Sequence, residues 1–410
     1  MAIKRNVTLE FRGAEYEDLA PGLEPRLRAA LDAALDGRDL EREEAIVVAR
    51  ARGRELAAVS TVADRLRQRR VGDEVSYVVN RNINFTNICT IGCTFCCFGK
   101  SHRSEGTYWH SLDTLADKAE EAWRLGATEV CMQGGLPPDM DGDYYRQVLE
   151  AVKRRVPSMH VHAFSPMEVV YGVERSGRPL RDFLKSLKDA GLGSLPGTAA
   201  EILDDAVRAR ISRIKLSRAQ WIEVITTAHE LGIPTTSTIM YGHVEEPEHW
   251  VDHILLLRSI QRESLQRASG GFTEFVPLGF IHEKTPLFRT GHARPGSTVE
   301  EDVAIHALAR ILLNNTIPNI QLAWPKLGWE VARLCLEAGA NDCGGTLMDE
   351  NITSASGEIA GTKTTPEELQ AFIVSAGRVP VERSTTYRVL RRFGQHTERG
   401  AGDRLQVGAV

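Results

Sequence analysis

Asn84-Phe85-Thr86-Asn87-Ile88-Cys89-Thr90-Ile91-Gly92-Cys93-Thr94-Phe95-Cys96-Cys97-Phe98 is the run on which the fold turns. It follows an apolar stretch, Val75 to Asn84, that reads as a β-strand, and it sets Cys89, Cys93 and Cys96 in a C-x3-C-x2-C spacing. Thiolates this close in sequence can wrap one metal centre, and Gly92 allows the sharp turn they need. Two readings are open here. The three cysteines could hold a [4Fe-4S] cluster and leave its fourth iron free for another ligand. Alternatively, they could share a structural zinc with Cys97, His102 or His110. Cys97 adjoins Cys96, so its side chain points elsewhere and reads as a packed thiol.

Outward from this loop, short apolar runs alternate with amphipathic stretches of helical length, the rhythm of a parallel α/β sheet. Further strands are expected at Glu129 to Gln133, His160 to Ala163, Gly191 to Leu195, Thr235 to Met240, Thr273 to Pro277, Ile320 to Ala323 and near Ala340. Helices are expected to begin near Leu112, Asp143, Leu180, Ala200, Arg218, Pro247, Thr298 and Lys326. Eight such units close a (β/α) barrel of the TIM type, and an incomplete barrel of six is the alternative. The 410 residues suit one barrel with appendages. The expected division is a helical cap over 1–74, the barrel over 75–345 and a C-terminal extension over 346–410. That extension holds a helix near Pro366 to Ser375 and ends in a mobile tail.

Composition narrows the function classes. The chain is 42% hydrophobic and 26% charged with a net charge of -5, ordinary values for a globular protein. The basic run Arg65 to Arg70 reads as a solvated helix face, so nucleic-acid binding is not expected. No stretch approaches the ~18 apolar residues of a membrane span, and Met1 to Arg12 lacks the apolar core of a secretory signal, so a cytoplasmic location is expected. Seven cysteines, four of them between Cys89 and Cys97, suit a reducing compartment and metal chemistry better than disulfides. Cys131, Cys335 and Cys343 read as small buried side chains.

Polar residues gather where strands are expected to end: Asn84, Gln133, Gly134, Gly135, His162, Ser165, Tyr241, Glu274 and Gln321 to Lys326. That rim is where (β/α) barrels build their active sites. The paired glycines let a ligand approach backbone closely. The run Thr238-Ile239-Met240-Tyr241-Gly242-His243-Val244-Glu245 resembles the adenine-supporting strand of radical S-adenosylmethionine (SAM) enzymes. In such enzymes the open iron chelates SAM, and an electron delivered to the sulfonium yields a 5'-deoxyadenosyl radical.

From Tyr77 to Tyr387 the chain resembles the tyrosine-handling half of the FO synthase family, which builds a deazaflavin chromophore. The resemblance rests on Asn80-Arg81-Asn82-Ile83-Asn84-Phe85-Thr86-Asn87, Glu129-Val130-Cys131-Met132-Gln133-Gly134-Gly135, His160-Val161-His162-Ala163-Phe164-Ser165-Pro166-Met167-Glu168-Val169, Pro196-Gly197-Thr198-Ala199-Ala200-Glu201-Ile202-Leu203, Gly271-Phe272-Thr273-Glu274-Phe275-Val276-Pro277-Leu278 and Ala340-Asn341-Asp342-Cys343-Gly344-Gly345-Thr346-Leu347-Met348. It implies cleavage of the Cα–Cβ bond of L-tyrosine and transfer of a 4-hydroxybenzyl group to 5-amino-6-(D-ribitylamino)uracil.

By the same resemblance Cys89, Cys93 and Cys96 hold the cluster. Gly134, Gly135, Ser165, Glu168, Glu201, Thr238 and Met240 become SAM contacts. His162, Tyr241, Glu274, His282 and Lys326 become groups that hold substrate and move protons. Taken singly, each reads equally well as a satisfied structural residue. One cysteine triad implies one half-reaction, with a low-potential electron donor and a separate ring-closing enzyme as partners. The rim departs from the family's pattern at Pro137, Gly279, Ile281 and Pro325, which leaves open a paralogue with another acceptor. A radical SAM enzyme of the futalosine route to menaquinone, or a non-catalytic iron–sulfur or zinc scaffold, are the remaining alternatives.

Overall fold

The computed structural model describes residues 14–267, 269–357 and 361–394, so of the tail expected from Glu382 to Val410 the last residues, 395–410, lie outside the described residues. The strands are β1 (Glu74–Val78), β2 (Asn80–Asn84), β3 (Glu129–Gln133), β4 (His160–Ala163), β5 (Leu192–Ser194), β6 (Thr235–Tyr241), β7 (Phe272–Gly279), β8 (Asp342–Gly345), β9 (Val379–Arg383) and β10 (Val389–Arg392). β2 to β5 form one parallel sheet and β6 pairs in parallel with β7. Single bridges carry the wall onward, from Leu195 to Thr235, from Phe275 to Ile320 and from Gln321 to Asp342. β8 then pairs in parallel with β1, which runs into β2 and closes the (β/α) barrel.

Two expected strands come out differently. Val75 to Asn84 is not one strand but β1 and β2, broken at Val79. Below the break β1 pairs with β9, and above it β2 pairs with β3, so the strand changes partner where it kinks. Ile320 to Ala323 keeps only its bridges, because the helix Trp324–Leu327 begins at once. The helix expected from Ala200 starts instead at Asp205, after a loop in which Ala199 and Glu201 carry positive φ (66° and 42°). A helix not expected, Pro166–Ser176, opens with a capping box between Ser165 and Glu168 and closes on Gly177 in the left-handed region.

Strand alternation sorts the residues. Val130, Met132, Val161 and Ala163 are buried in the apolar core, while Asn80, Asn82 and Asn84, Glu129, Cys131 and Gln133, and His160 and His162 fall on the opposite, inner face. The barrel interior is therefore polar along three adjacent strands. The helices Arg42–Ala49 and Gly53–Val71 pack against Pro247–Gln266 and Val299–Leu313, which places the N-terminal helices on the outer helix layer. The segment after residue 345 returns to the barrel through β9, and β10 pairs antiparallel with β9. Among the described residues no helix is long and apolar enough to cross a membrane.

Candidate active site

The cysteine loop rises from the end of β2 and is held on several sides. Cys89 N donates to Lys100 O (2.9 Å), Thr90 N to Leu136 O (3.1 Å) and Thr94 N to Ile211 O (3.3 Å). Gly92 takes φ 61° at the turn between Cys89 and Cys93. Gly135 lies so close beneath the loop that a Cβ there would come within 2.1 Å of Ile88 O. The Ser212 hydroxyl donates to Cys93 Sγ (3.1 Å), and Lys215 lies 5.0 Å from the Phe95 ring centroid. Burial pushes the Cys93 thiol up, and the nearby Lys215 ammonium and the Ser212 hydroxyl oppose that rise by favouring the thiolate that an iron–sulfur group needs. Among the described residues, no three Cys, His, Asp or Glu side chains are drawn around a single point that could hold one metal ion. A cubane makes no such demand, since each of its irons takes its own thiolate.

The loop opens on a cavity of about 280 Å³ whose lining includes Cys96, Gln133, Thr198, Glu201, Thr238, Met240, Lys326 and Glu350. Glu201 accepts from Lys215 Nζ (2.5 Å) and Arg208 Nη1 (3.4 Å), so its carboxylate is clamped at the cavity wall. Thr238 Oγ1 donates to Gly197 O (2.9 Å), and Thr238 and Met240, two residues apart on β6, share the strand face that lines the cavity. Lys326 also lines the cavity. Burial pushes its amine down to about 8, with Glu350 pulling the other way.

Below this cavity lies a polar floor. Ser194 Oγ meets both His160 Nε2 (2.8 Å) and His162 Nδ1 (2.7 Å), and burial pushes His162 down to about 4. Arg383 Nε and Nη2 donate to Asp342 Oδ2 (2.5 Å) and Oδ1 (2.9 Å), and Nη2 reaches Glu274 Oε2 (3.3 Å). Gln321 Nε2 (2.9 Å) and the Tyr387 hydroxyl also donate to that Glu274 oxygen. Burial raises Glu274 to about 7 even though Arg383 opposes the rise. The C-terminal segment thus supplies the cation that lets two carboxyl groups share the barrel interior.

Residues 83–257 match the Radical SAM superfamily, and residues 269–396 match the CofH/MqnC C-terminal region. The chain is 45% identical over 366 residues, 89% of its own length and 98% of that protein, to the 5-amino-6-(D-ribitylamino)uracil--L-tyrosine 4-hydroxyphenyl transferase of Methanothermobacter thermautotrophicus. The chain belongs to this radical SAM family. It is also 50% identical to the FO synthase of Streptomyces coelicolor, over 92% of this chain but only 43% of that protein. The radical SAM enzyme described here therefore spans less than half the length of its FO synthase relatives. In fold it is similar to the hydrogenase maturase HydG of Carboxydothermus hydrogenoformans (TM-score 0.69, 14% identity, covering 91% of this chain and 83% of that one). Membership of the superfamily implies an iron–sulfur cluster and SAM.

The structure gathers only part of the set that the sequence suggested for this radical SAM enzyme. Cys96, Glu201, Thr238, Met240 and Lys326 line one cavity, with Gly134 and Gly135 beside the cysteine loop. Glu168 is occupied otherwise, accepting from Gly134 N (3.0 Å), Ser165 N (2.7 Å) and Ser165 Oγ (2.6 Å). Ser165 and Glu168 thus brace the glycine pair from behind. Tyr241 is not brought to the cavity. It follows Met240 on β6 and so faces the helices, where its hydroxyl donates to Asp302 (2.8 Å) and its ring meets Trp250. His282 packs edge-on against Phe288 (4.5 Å) instead of entering the cavity. His162 and Glu274 sit in the floor among fixed partners. Sequence reading missed Arg208, Ser212 and Lys215, on and just after the helix Asp205–Ile211, and gave no role to Arg383. Their signal was weak, since a basic residue near a helix end usually faces water.

Proposed function

We propose that this chain transfers the 4-hydroxybenzyl group of L-tyrosine to 5-amino-6-(D-ribitylamino)uracil, with Cys89, Cys93 and Cys96 holding a [4Fe-4S] cluster. The observation that carries this reading is one cavity lined by both Cys96 and Lys326, in a chain that matches nearly the whole of the Methanothermobacter transferase. When bound, cluster and SAM together supply a radical able to take hydrogen from tyrosine, after which the Cα–Cβ bond breaks and the glycine portion leaves as an imine.

The chain's own residues do the positioning. Gly134 and Gly135 let backbone approach the aminocarboxylate of SAM, and Met240 with the Thr238 methyl group offers an apolar seat for adenine. Glu201, fixed by Lys215 and Arg208, presents carboxylate oxygens for hydroxyl or ammonium donors. Lys326, with its amine brought down to about 8, can hold or accept a substrate proton near neutral pH. The separate ring-closing enzyme and a low-potential donor complete the proposed pathway.

The test is anaerobic turnover. Protein reconstituted with iron and sulfide, then given dithionite, SAM, tyrosine and the ribitylamino-uracil, should release 5'-deoxyadenosine in a tyrosine-dependent manner. Mass spectrometry should show the hydroxybenzyl adduct, with glyoxylate formed from the imine. Deoxyadenosine release that ignores tyrosine would overturn the substrate, and no release at all would overturn the enzyme.

A further inference from the structure

A second cavity of about 460 Å³ lies beside the first, and Asn82 and Asn84 line both. The wall between them is the segment from Asp349 to Ser356. Asp349, Asn351 and Ala355 line the second cavity, while Glu350, Ile352, Thr353 and Ser356 line the first. Asn82 Nδ2 ties this wall to β2 by donating to Glu350 Oε2 (2.8 Å).

Asn84 stands at the junction. Only 7% exposed, it donates through Nδ2 to Gln133 O (3.1 Å), yet its Oδ1 is buried with no hydrogen-bond partner among the described residues. Buried amide oxygens are ordinarily satisfied, and this one lacks a donor from the protein. The cavity beyond has a mixed lining in which apolar surface exceeds polar, and Lys100, Lys118, His110 and Asp349 all border it. Lys100 Nζ is taken up by Glu105 O (2.9 Å), and Asp349 is paired with Arg81 (2.9 Å). Asn351 and the hydroxyl of Tyr108 stay available at its lining. The Asn351 amide and the Tyr108 phenol can each donate and accept, as the hydroxyls of a polyol require.

We propose that the second cavity seats the ribityl chain of the acceptor, with Asn84 Oδ1 receiving an N–H of its ring at the opening between the cavities. This rests on the proposed transfer reaction and adds to it a two-compartment site, with SAM and tyrosine on the Cys96 side and the polyol on the Asn351 side. The acceptor ring would then lie across the boundary, where its reacting carbon meets the tyrosine fragment.

Anaerobic binding of two probes tests this: 5-amino-6-(D-ribitylamino)uracil, and 5,6-diaminouracil, which has the ring without the polyol. The wild-type protein should bind the ribityl compound roughly tenfold or more tightly, the worth of one or two net hydrogen bonds. The double variant Asn351→Leu, Tyr108→Phe should lose that preference and keep its affinity for diaminouracil. Asn84→Ala should weaken both probes alike, and thermal melts check that each variant is folded. Equal binding of the two probes by wild type, or a preference kept by the double variant, overturns the assignment. Tyrosine-dependent deoxyadenosine release, measured without acceptor, separates the two claims. If it persists where the polyol preference is missing, only the cavity assignment falls; if it is absent, the transfer reading falls with it.

Discussion

Lys326 is where a single residue most directly meets the proposed chemistry. Burial depresses its amine to about 8 from an ordinary 10.5, so it is charged below that pH and increasingly neutral above it. If the neutral amine takes the substrate proton, tyrosine-dependent turnover should rise with pH and level off above about 8. Lys326→Met should flatten that limb and slow turnover about 10²-fold or more, the usual range for losing a general base. A variant that keeps the same limb would assign it to another group. Linkage gives an independent check. A lowered folded-state value means that stability is lost as pH falls through 8, so Lys326→Met should gain stability over wild type at pH 6 and gain less as pH rises. At this scale the cysteine triad stood out in the sequence as a metal-binding run, although its spacing alone left a cluster and a zinc ion both open. Met240 and Tyr241 show the opposite case. Adjacent strand residues face opposite sides, so they could not both reach one cavity, and the sequence did not say which would. Glu201's partners were hidden because they lie beyond a loop whose backbone takes unusual angles.

Among the elements, β9 decides how the barrel interior is balanced. The sequence showed a fading rhythm after Gly345 and gave no sign that the chain re-enters the barrel, since a strand this short carries little periodicity. Yet Arg383 at its end holds both Asp342 and Glu274. Arg383→Met should cost about 3–5 kcal/mol, because it leaves buried carboxyl groups without their cation; urea unfolding followed by circular dichroism measures it. The pH dependence has a definite sign. Glu274 is raised from 4.5 to about 7, so its contribution to stability is full below 4.5 and is lost as pH rises through 7. Glu274→Gln should therefore flatten the fall in urea midpoint between pH 5 and pH 7.5. An unchanged slope would mean that another group titrates there. The kink at Val79 has the same origin, since an apolar run long enough for one strand cannot reveal that two different neighbours share it.

At the scale of the whole molecule, the sequence contained the eight-fold rhythm, and the barrel closes as that rhythm implied, with one wall reduced to bridges. What the rhythm could not give was the pair of cavities, because their partition, Asp349 to Ser356, is a loop ending in one 3-10 turn (Ser354–Ser356) and carries no strand or α-helical period. The chain carries one C-x3-C-x2-C run and covers 43% of the Streptomyces FO synthase. One radical site can start one hydrogen abstraction per substrate bound, and the proposed transfer consumes that event in cleaving tyrosine. Joining the hydroxybenzyl ring to the uracil a second time needs another abstraction from a differently placed carbon. We therefore expect this chain alone, under reducing conditions with SAM, tyrosine and acceptor, to accumulate the open adduct with no ring-closed product by mass spectrometry. Adding a second radical SAM protein with its own cysteine triad should consume the adduct. If this chain alone closed the ring, the cavity pair would have to hold the adduct in two orientations in turn, and the separate-partner proposal would fall.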